Sequence, residues 1–284
     1  MKTAFFIRNA FLDTPSFRQI QQDMQDAANA LGFQFQPRTN ADFVSPIQTK
    51  DLPPAALFWD KDIRLAKLLE HQGMRLVNPA QAIEVCDDKT LTYLALQNQL
   101  PMPQTLLCPM TFGTLGYGEM AFLEEAAQAL GWPFIIKEGY GSYGNQVYLV
   151  HDMPEAKGLL ARLGAVPILF QQFIKESTGR DIRAYVVGGR VVAAMERRNL
   201  TGDFRANIAE GGIGKPYTMS SEEERITLDA AQALSLDFAG VDLLFSKDGP
   251  LLCEVNSNAH FQALKEVTGI SPAMEIAALV RELL

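Results

Sequence analysis

Cysteine is scarce in this chain, with three residues in 284, and positive charge is in deficit. Cys86, Cys108 and Cys253 are far apart and fit neither a zinc site nor a disulfide framework, so a reducing, cytoplasmic setting is expected. Lys and Arg number 25 against 33 Asp and Glu, a net charge of −8. That balance argues against a general nucleic-acid or anionic-membrane binder. The opening run Met-Lys-Thr-Ala-Phe-Phe-Ile is cut by Arg8 too soon for a signal peptide, and no run of transmembrane length follows. Internal repeats and low-complexity segments are also missing. What the chain has is 48% hydrophobic content, enough to bury a large core spread over two or three domains.

The stretch from Gly240 to Asn256 organises the rest. Two apolar runs flank Lys247-Asp248-Gly249, which reads as a three-residue hairpin loop with Gly249 at a positive-φ position. Counting outward sets Phe245 opposite Leu251 and Asp242 opposite Glu254. Alternation then places Val241, Leu243, Phe245, Leu251, Cys253 and Val255 on one face, and Asp242, Leu244, Leu252, Glu254 and Asn256 on the other. Two readings of the second face stand side by side. It is either a half-solvated polar face or a site where hard oxygen ligands hold magnesium together with substrate phosphates.

Taken in order, the amino-terminal third alternates strands with helices: residues 3–8, a helix from Pro15 to Leu31, a short strand near Gln34, Ala55–Trp59, a helix from Lys61 to His71, and Arg75–Val77. That order predicts a small parallel sheet covered by helices. Asp60-Lys61-Asp62 at a strand end reads as a solvated loop that caps the next helix, in preference to a ligand crevice. Pro79 to Leu100 reads as one helix. A middle region follows, with strands at Thr105–Cys108, Trp132–Lys137 and Gln146–Val150 and helices at Glu119–Leu130 and Asp152–Leu163. Val166–Ile174 is a further strand. Asp181–Val187 and Arg190–Arg198 form a hairpin about Gly188-Gly189, with Asp181, Arg183 and Tyr185 on one face. Ser220 and Glu223 form a capping box for a helix, and the last two helices are expected at Phe261–Lys265 and Pro272–Leu284.

The loop Glu138-Gly-Tyr-Gly-Ser-Tyr-Gly-Asn145 carries a second chemical signal. It lacks Gly-Lys-Ser/Thr and runs into a strand, so it is neither a P-loop nor a dinucleotide fingerprint. It reads either as a glycine flap folding over phosphates beside Lys137, or as a flexible hairpin tip. Arg197, Arg198 and Arg205 bracket a polar loop that ends near Gly214. They serve a polyphosphate in one reading and solubility in the other.

In order along the chain, Asp88-Lys89, Ile135–Gly144, Gln172-Phe-Ile-Lys-Glu176, Asp181-Ile-Arg183, Gly202–Asn207, Gly240-Val-Asp242 and Glu254-Val-Asn256 resemble the motifs of ATP-grasp ligases. More narrowly, they are similar to the RimK group, whose best-known member adds glutamate to a ribosomal protein's C-terminus. The resemblance is dense from about Asp87 to Gly269. It implies an α/β fold, an ATP-grasp clamp preceded by a small Rossmann-like parallel-sheet domain. The divisions are 1–86, 87–165 for the lid and 166–284 for the subdomain with the metal site. By position it implies Lys89 and Lys137 as phosphate-binding lysines, with Gly141, Ser142 and Gly144 in the flap. Gln172, Phe173 and Ile174 become the adenine hinge, Asp181 the ribose carboxylate, and Arg205 and Asn207 the residues facing the terminal phosphates. Asp242, Glu254 and Asn256 become the ligands of magnesium, or of manganese in its place.

The chemistry so implied activates a carboxylate as an acyl phosphate. An amine then displaces phosphate, with Lys137 and Arg205 as the catalytic side chains. The implied partners are ATP, an amino acid and a carboxylate acceptor, which is a peptide, a protein C-terminus or a small molecule. No nucleic acid or membrane is among them, and a homo-oligomer is compatible. The alternatives are a ligase acting on an amino-group carrier protein or a biosynthetic intermediate, and a nucleotide-binding regulator without turnover. Gln172 stands where many members have glutamate, and Ser257-Asn-Ala-His-Phe261 replaces the usual continuation after the asparagine. Glu210 replaces a basic residue of the glutamate-adding members, so glutamate is expected to be a poor amine donor if Glu210 faces the cleft.

Overall fold

The computed structural model describes residues 2–45, 51–142, 144–206 and 212–284. Its amino-terminal part holds β1 (Lys2–Arg8), α1 (Pro15–Ala30), β2 (Phe33–Thr39), β3 (Ala55–Trp59), α2 (Ile63–His71) and β4 (Arg75–Val77). The strands lie in the order β2-β1-β3-β4 and every pairing is parallel, as the alternation predicts. Every residue of β3 is buried, which is what a strand covered on both faces requires. Thr14 starts α1 by accepting a hydrogen bond from the Phe17 N–H, with Pro15 in the first turn. The helix then turns Phe17, Ile20, Met24 and Ala27 inward.

Residues 79–100 are not the single helix expected. Two helices, α3 (Ala80–Asp87) and α4 (Lys89–Leu96), meet at Asp88, whose extended backbone breaks the first and caps the second. Its side chain accepts from the N–H groups of Thr90 (2.8 Å) and Leu91 (3.4 Å). A capping aspartate outweighed helical propensity at that point.

The middle region forms an antiparallel sheet of β5 (Thr105–Leu107), β6 (Phe134–Glu138), β7 (Val147–Val150) and β8 (Ile168–Gln172), in the order β5-β8-β6-β7. Helices α5 (Phe122–Leu130) and α6 (Met153–Leu163) pack on it around Leu123, Phe134, Leu160 and Phe170, a core of its own.

A third sheet has the order β11-β10-β9-β12-β13, from β9 (Arg180–Val187), β10 (Arg190–Asn199), β11 (Gly212–Pro216), β12 (Phe238–Leu244) and β13 (Leu251–Asn256). Strand β11 lies largely in a segment expected to be loop, and it pairs with β10 from Met195 to Asn199. The capping box of Ser220 and Glu223 forms as expected and opens α7 (Ser221–Ala233). That helix covers one face of the sheet, where Ile182, Ala184, Val241 and Leu243 meet Ile226 and Ala230. The other face meets the amino-terminal part: Trp59 stacks on Phe238 at 5.2 Å and lies edge-on to Phe261 at 6.0 Å. Helices α8 (Gln262–Thr268) and α9 (Ala273–Glu282) end the chain, and α9 packs along α1.

Asn78 fastens the two parts together. Wholly buried, it donates from Nδ2 to the carbonyls of Phe238 (2.9 Å) and Ser257 (2.8 Å). Its Oδ1 accepts from the N–H groups of Asp237 (2.7 Å) and Phe238 (3.1 Å). Among the described residues no helix is long and apolar enough to cross a membrane.

Candidate functional site

The hairpin of β12 and β13 keeps the expected register where it matters, with Asp242 opposite Glu254 and Gly240 opposite Asn256. Nearer the turn the count slips. Leu243 pairs with Leu252 and Leu244 with Leu251, so Cys253 is the extra residue of a β-bulge, and Phe245 does not face Leu251. The bulge returns Leu252 to the core beside Leu243 and turns Cys253 toward the cavity, against the face expected for each. There Lys137 at the end of β6 donates to the Cys253 sulfur at 3.7 Å.

That cavity, of about 780 Å³, runs between the middle sheet and the third sheet and reaches the amino-terminal part. Its size suits a nucleotide together with a small second substrate. Asp242, Glu254 and Asn256 line it from the hairpin, facing Lys137, Ser142 and Gly144 from the middle region. Gln172, Phe173 and Ile174 at the end of β8, with Asp181 and Arg205, line it too. Lys89 heads α4 behind this wall. Its ammonium donates to the Gly141 carbonyl at 3.1 Å and stands 3.8 Å from Glu254. Gly141 has φ of +133°, and a Cβ there would fall 2.3 Å from the Gln146 amide oxygen. The same amide oxygen accepts from the Ser142 N–H at 3.2 Å, so glycine lets the loop fold onto its own stem.

Electrostatically the site centres on a buried quartet. Arg197 holds Asp181 through two bonds of 2.7 and 2.6 Å and reaches Asp242 at 3.0 Å. Arg183 holds both oxygens of Asp242 from the other side. Burial works to raise both carboxyls. At Asp242 the guanidiniums of Arg183 and Arg197 outweigh it and hold the group below its ordinary value. At Asp181 burial prevails over Arg197. The arginine cluster expected to serve a polyphosphate is therefore divided. Arg197 is committed to the two aspartates, and Arg198 pairs with Glu196 at 2.6 Å. Arg205 faces the cavity, where it pairs with Asp203 at 2.7 Å and donates to the Gly144 carbonyl at 2.8 Å, tying its loop to the glycine flap. Asn207 and Glu210 lie outside the described residues.

A divalent cation and a nucleotide fit what is present. Asp242 is kept ionised, Glu254 and Asn256 add hard oxygens from the paired strand, and the set contains no thiolate or imidazole that would favour a softer ion. Each carboxylate oxygen retains lone-pair capacity beyond its guanidinium bonds. Two features escaped sequence reasoning. Arg183 and Arg197 are the counter-ions of the acidic hairpin, signalled only by the Asp-Ile-Arg motif, and Asp60 lines the cavity at 8% exposure where a solvated loop was expected. Asp62 does cap α2, accepting from the Leu65 N–H.

Comparison with known proteins agrees with this geometry. A profile described as RimK-like ATP-grasp domain matches residues 87–280. The MG012 homolog of Mycoplasma pneumoniae is 35% identical over 259 residues, covering 88% of this chain and 89% of that protein. Human N-acetylaspartylglutamate synthase A is 31% identical over 257 residues, covering 89% of this chain but 64% of the synthase. Among solved structures, the RimK domain ATP-grasp protein of Sphaerobacter thermophilus superposes with a TM-score of 0.70 at 21% identity, over 99% of each chain. At that identity the likeness concerns the fold. The profile match and the relatives' identities place the chain in the RimK-like ATP-grasp family.

Proposed function

We propose that the chain is a magnesium- and ATP-dependent ligase that joins an amine, carried by an amino acid, to a carboxylate. The carboxylate is activated as an acyl phosphate, and ADP and phosphate are released. The observation that carries this reading is a single cavity where Lys137 and the glycine flap face the Asp242, Glu254 and Asn256 hairpin. In this reading residues 1–86 form the leading domain, 87–165 the lid and 166–284 the subdomain with the metal ligands.

The divalent ion, when bound, would neutralise charge on the terminal phosphates. Lys137, desolvated at the end of β6, places a fixed cation toward the same charge, where low dielectric strengthens its effect. Lys89 supports the flap through Gly141, and Arg205 supports it through Gly144. The apolar side chains of Ile135, Ile174 and Leu244 line the same cavity and would lower the dielectric around a bound nucleotide. The acyl phosphate is itself the activated electrophile, so no serine or cysteine nucleophile takes part. The amine attacks in its neutral form, after an ammonium has lost one proton, and loses the next as phosphate leaves and the amide forms.

The test is a panel of amino acids and carboxylate acceptors, with nucleotides separated by chromatography. ADP and phosphate should accumulate only when amine and acceptor are both present. AMP among the products would overturn the mechanism, and nucleotide binding with no acceptor-dependent release would favour a nucleotide-binding regulator. In the same assay Lys137→Ala should raise the KM for ATP and lower kcat together, by about 1.5–3 kcal/mol in kcat/KM. An unchanged kcat would remove Lys137 from the phosphoryl-transfer step.

A further inference from the structure

At its amino-terminal end the cavity is lined by residues that the phosphate chemistry leaves unused. Asp60 follows β3, at the carboxyl end of a parallel sheet where ligand crevices open. The Asn9 side-chain amide donates to its two oxygens at 3.2 and 3.4 Å, and the Lys61 N–H donates to Oδ1 at 2.7 Å. Its backbone carbonyl accepts from Asn258 Nδ2 at 2.8 Å, which fixes it against the loop that follows the metal hairpin.

All of these donors are neutral. Among the described residues Asp60 makes no ion pair. Lys61, its neighbour in sequence, turns away to Asp87 at 2.5 Å, and Arg183 is committed to Asp242. A buried carboxylate without a counter-cation is costly, and burial raises the pKa of Asp60 in keeping with that.

Three further groups give this end the same character. The Asn258 Oδ1, on the side chain that donates to the Asp60 carbonyl, is buried and accepts nothing among the described residues. Glu266 lines the same end and has no ion pair among the described residues. His260, whose Nδ1 lies 3.1 Å from the Ser16 hydroxyl, is pushed down to about 4 by burial and by Arg183, so it is neutral near pH 7. Donors unpaired among the described residues lie here too, at Trp59 Nε1 and Gln262 Nε2, but they are neutral, and the uncompensated charge at this end is the negative charge of Asp60 and Glu266.

We propose that Asp60 receives the ammonium group of a substrate. This end of the cavity is then a site for a charged amine and disfavours a second carboxylate. The assignment rests on the ligase reading and narrows its substrates: the amine enters as an ammonium against Asp60, and dicarboxylic amino acids are poor ligands. Asp60 is thus a binding and specificity residue, separate from the groups that handle phosphate.

The test uses equilibrium binding to the full chain with ADP and magnesium present, read by titration calorimetry. The probes are L-alaninamide, an ammonium without a carboxylate, and N-acetyl-L-alanine, a carboxylate without an ammonium. Alaninamide should bind the wild type at least about tenfold more tightly than Asp60→Asn, a variant that keeps the acceptor for the Lys61 N–H. Asp60→Glu should recover part of the loss, and Asp62→Asn, altered at the helix cap, should lose none. Equal alaninamide affinity in wild type and Asp60→Asn would overturn the site. So would an equal loss in Asp62→Asn, or tighter wild-type binding of N-acetyl-L-alanine. Because the readout is binding, amide formation with no Asp60 effect sinks this site and spares the ligase. Amine discrimination without turnover does the reverse.

Discussion

Asp242→Ala should abolish amide formation and also lower the free energy of unfolding by about 3–5 kcal/mol, whereas Glu254→Ala should abolish amide formation at little cost to stability. The two carboxylates face each other across one strand pair, yet their surroundings differ. Asp242 joins Arg183, whose side chain is 15% exposed, and the buried Arg197, so its removal strands positive charge in a low-dielectric region. Glu254 is 28% exposed and its nearest cation, Lys89, is 3.8 Å away. An ion pair of that kind contributes about 1 kcal/mol or less. Turnover should fall by a factor of at least about 10²–10³ in both variants if both hold the metal, because preorganised charge at the phosphates is lost. Urea unfolding followed by circular dichroism, beside the chromatographic assay, separates the two effects. Equal stability losses would contradict the buried quartet, and near-normal turnover in either variant would remove that residue from the metal set.

Asn78→Ala should cost about 3–5 kcal/mol, among the largest effects of any polar substitution outside the site. One side chain satisfies four backbone groups: the carbonyls of Phe238 and Ser257 and the N–H groups of Asp237 and Phe238. Alanine leaves them buried and unpaired, at about 1–3 kcal/mol each before relaxation. Asn78→Asp removes the two donated bonds and buries a charge, so it should be no milder. A shift in the urea midpoint corresponding to less than about 1 kcal/mol would mean that water enters and replaces the amide.

Where local pattern decides structure, the sequence was readable. The parallel sheet follows from short apolar runs alternating with amphipathic helices, and the Ser220–Glu223 box states its own helix start. The pairing of Asp242 with Glu254 was legible because residue alternation is a local rule. That same rule misplaced Leu252 and Cys253, since counting by twos assumes no bulge, and a bulge is chosen by what lies across the sheet. Asp88 was hidden inside an apolar helical period, where one side-chain bond outweighed propensity. Arg197 and Asp60 were misread for a common reason. Each takes its character from partners distant in sequence, Asp181 and Asp242 for one, Asn9 and Asn258 for the other. A local reading of charge can only assign such residues to solvent or to a ligand.

The packing of α9 on α1 bears on how the chain is made. Ile20 and Met24 of α1 share a core with Ile276 and Val280, which are made only after all three sheets. The amino-terminal sheet and α1, although made before α9, cannot finish their shared hydrophobic interior until α9 has emerged. During synthesis those side chains stay uncovered, a surface on which a holding chaperone would act. The middle region is under no such delay, because Leu123, Phe134, Leu160 and Phe170 come from adjacent elements and close their own core. The middle sheet can thus close its core before α1 is covered.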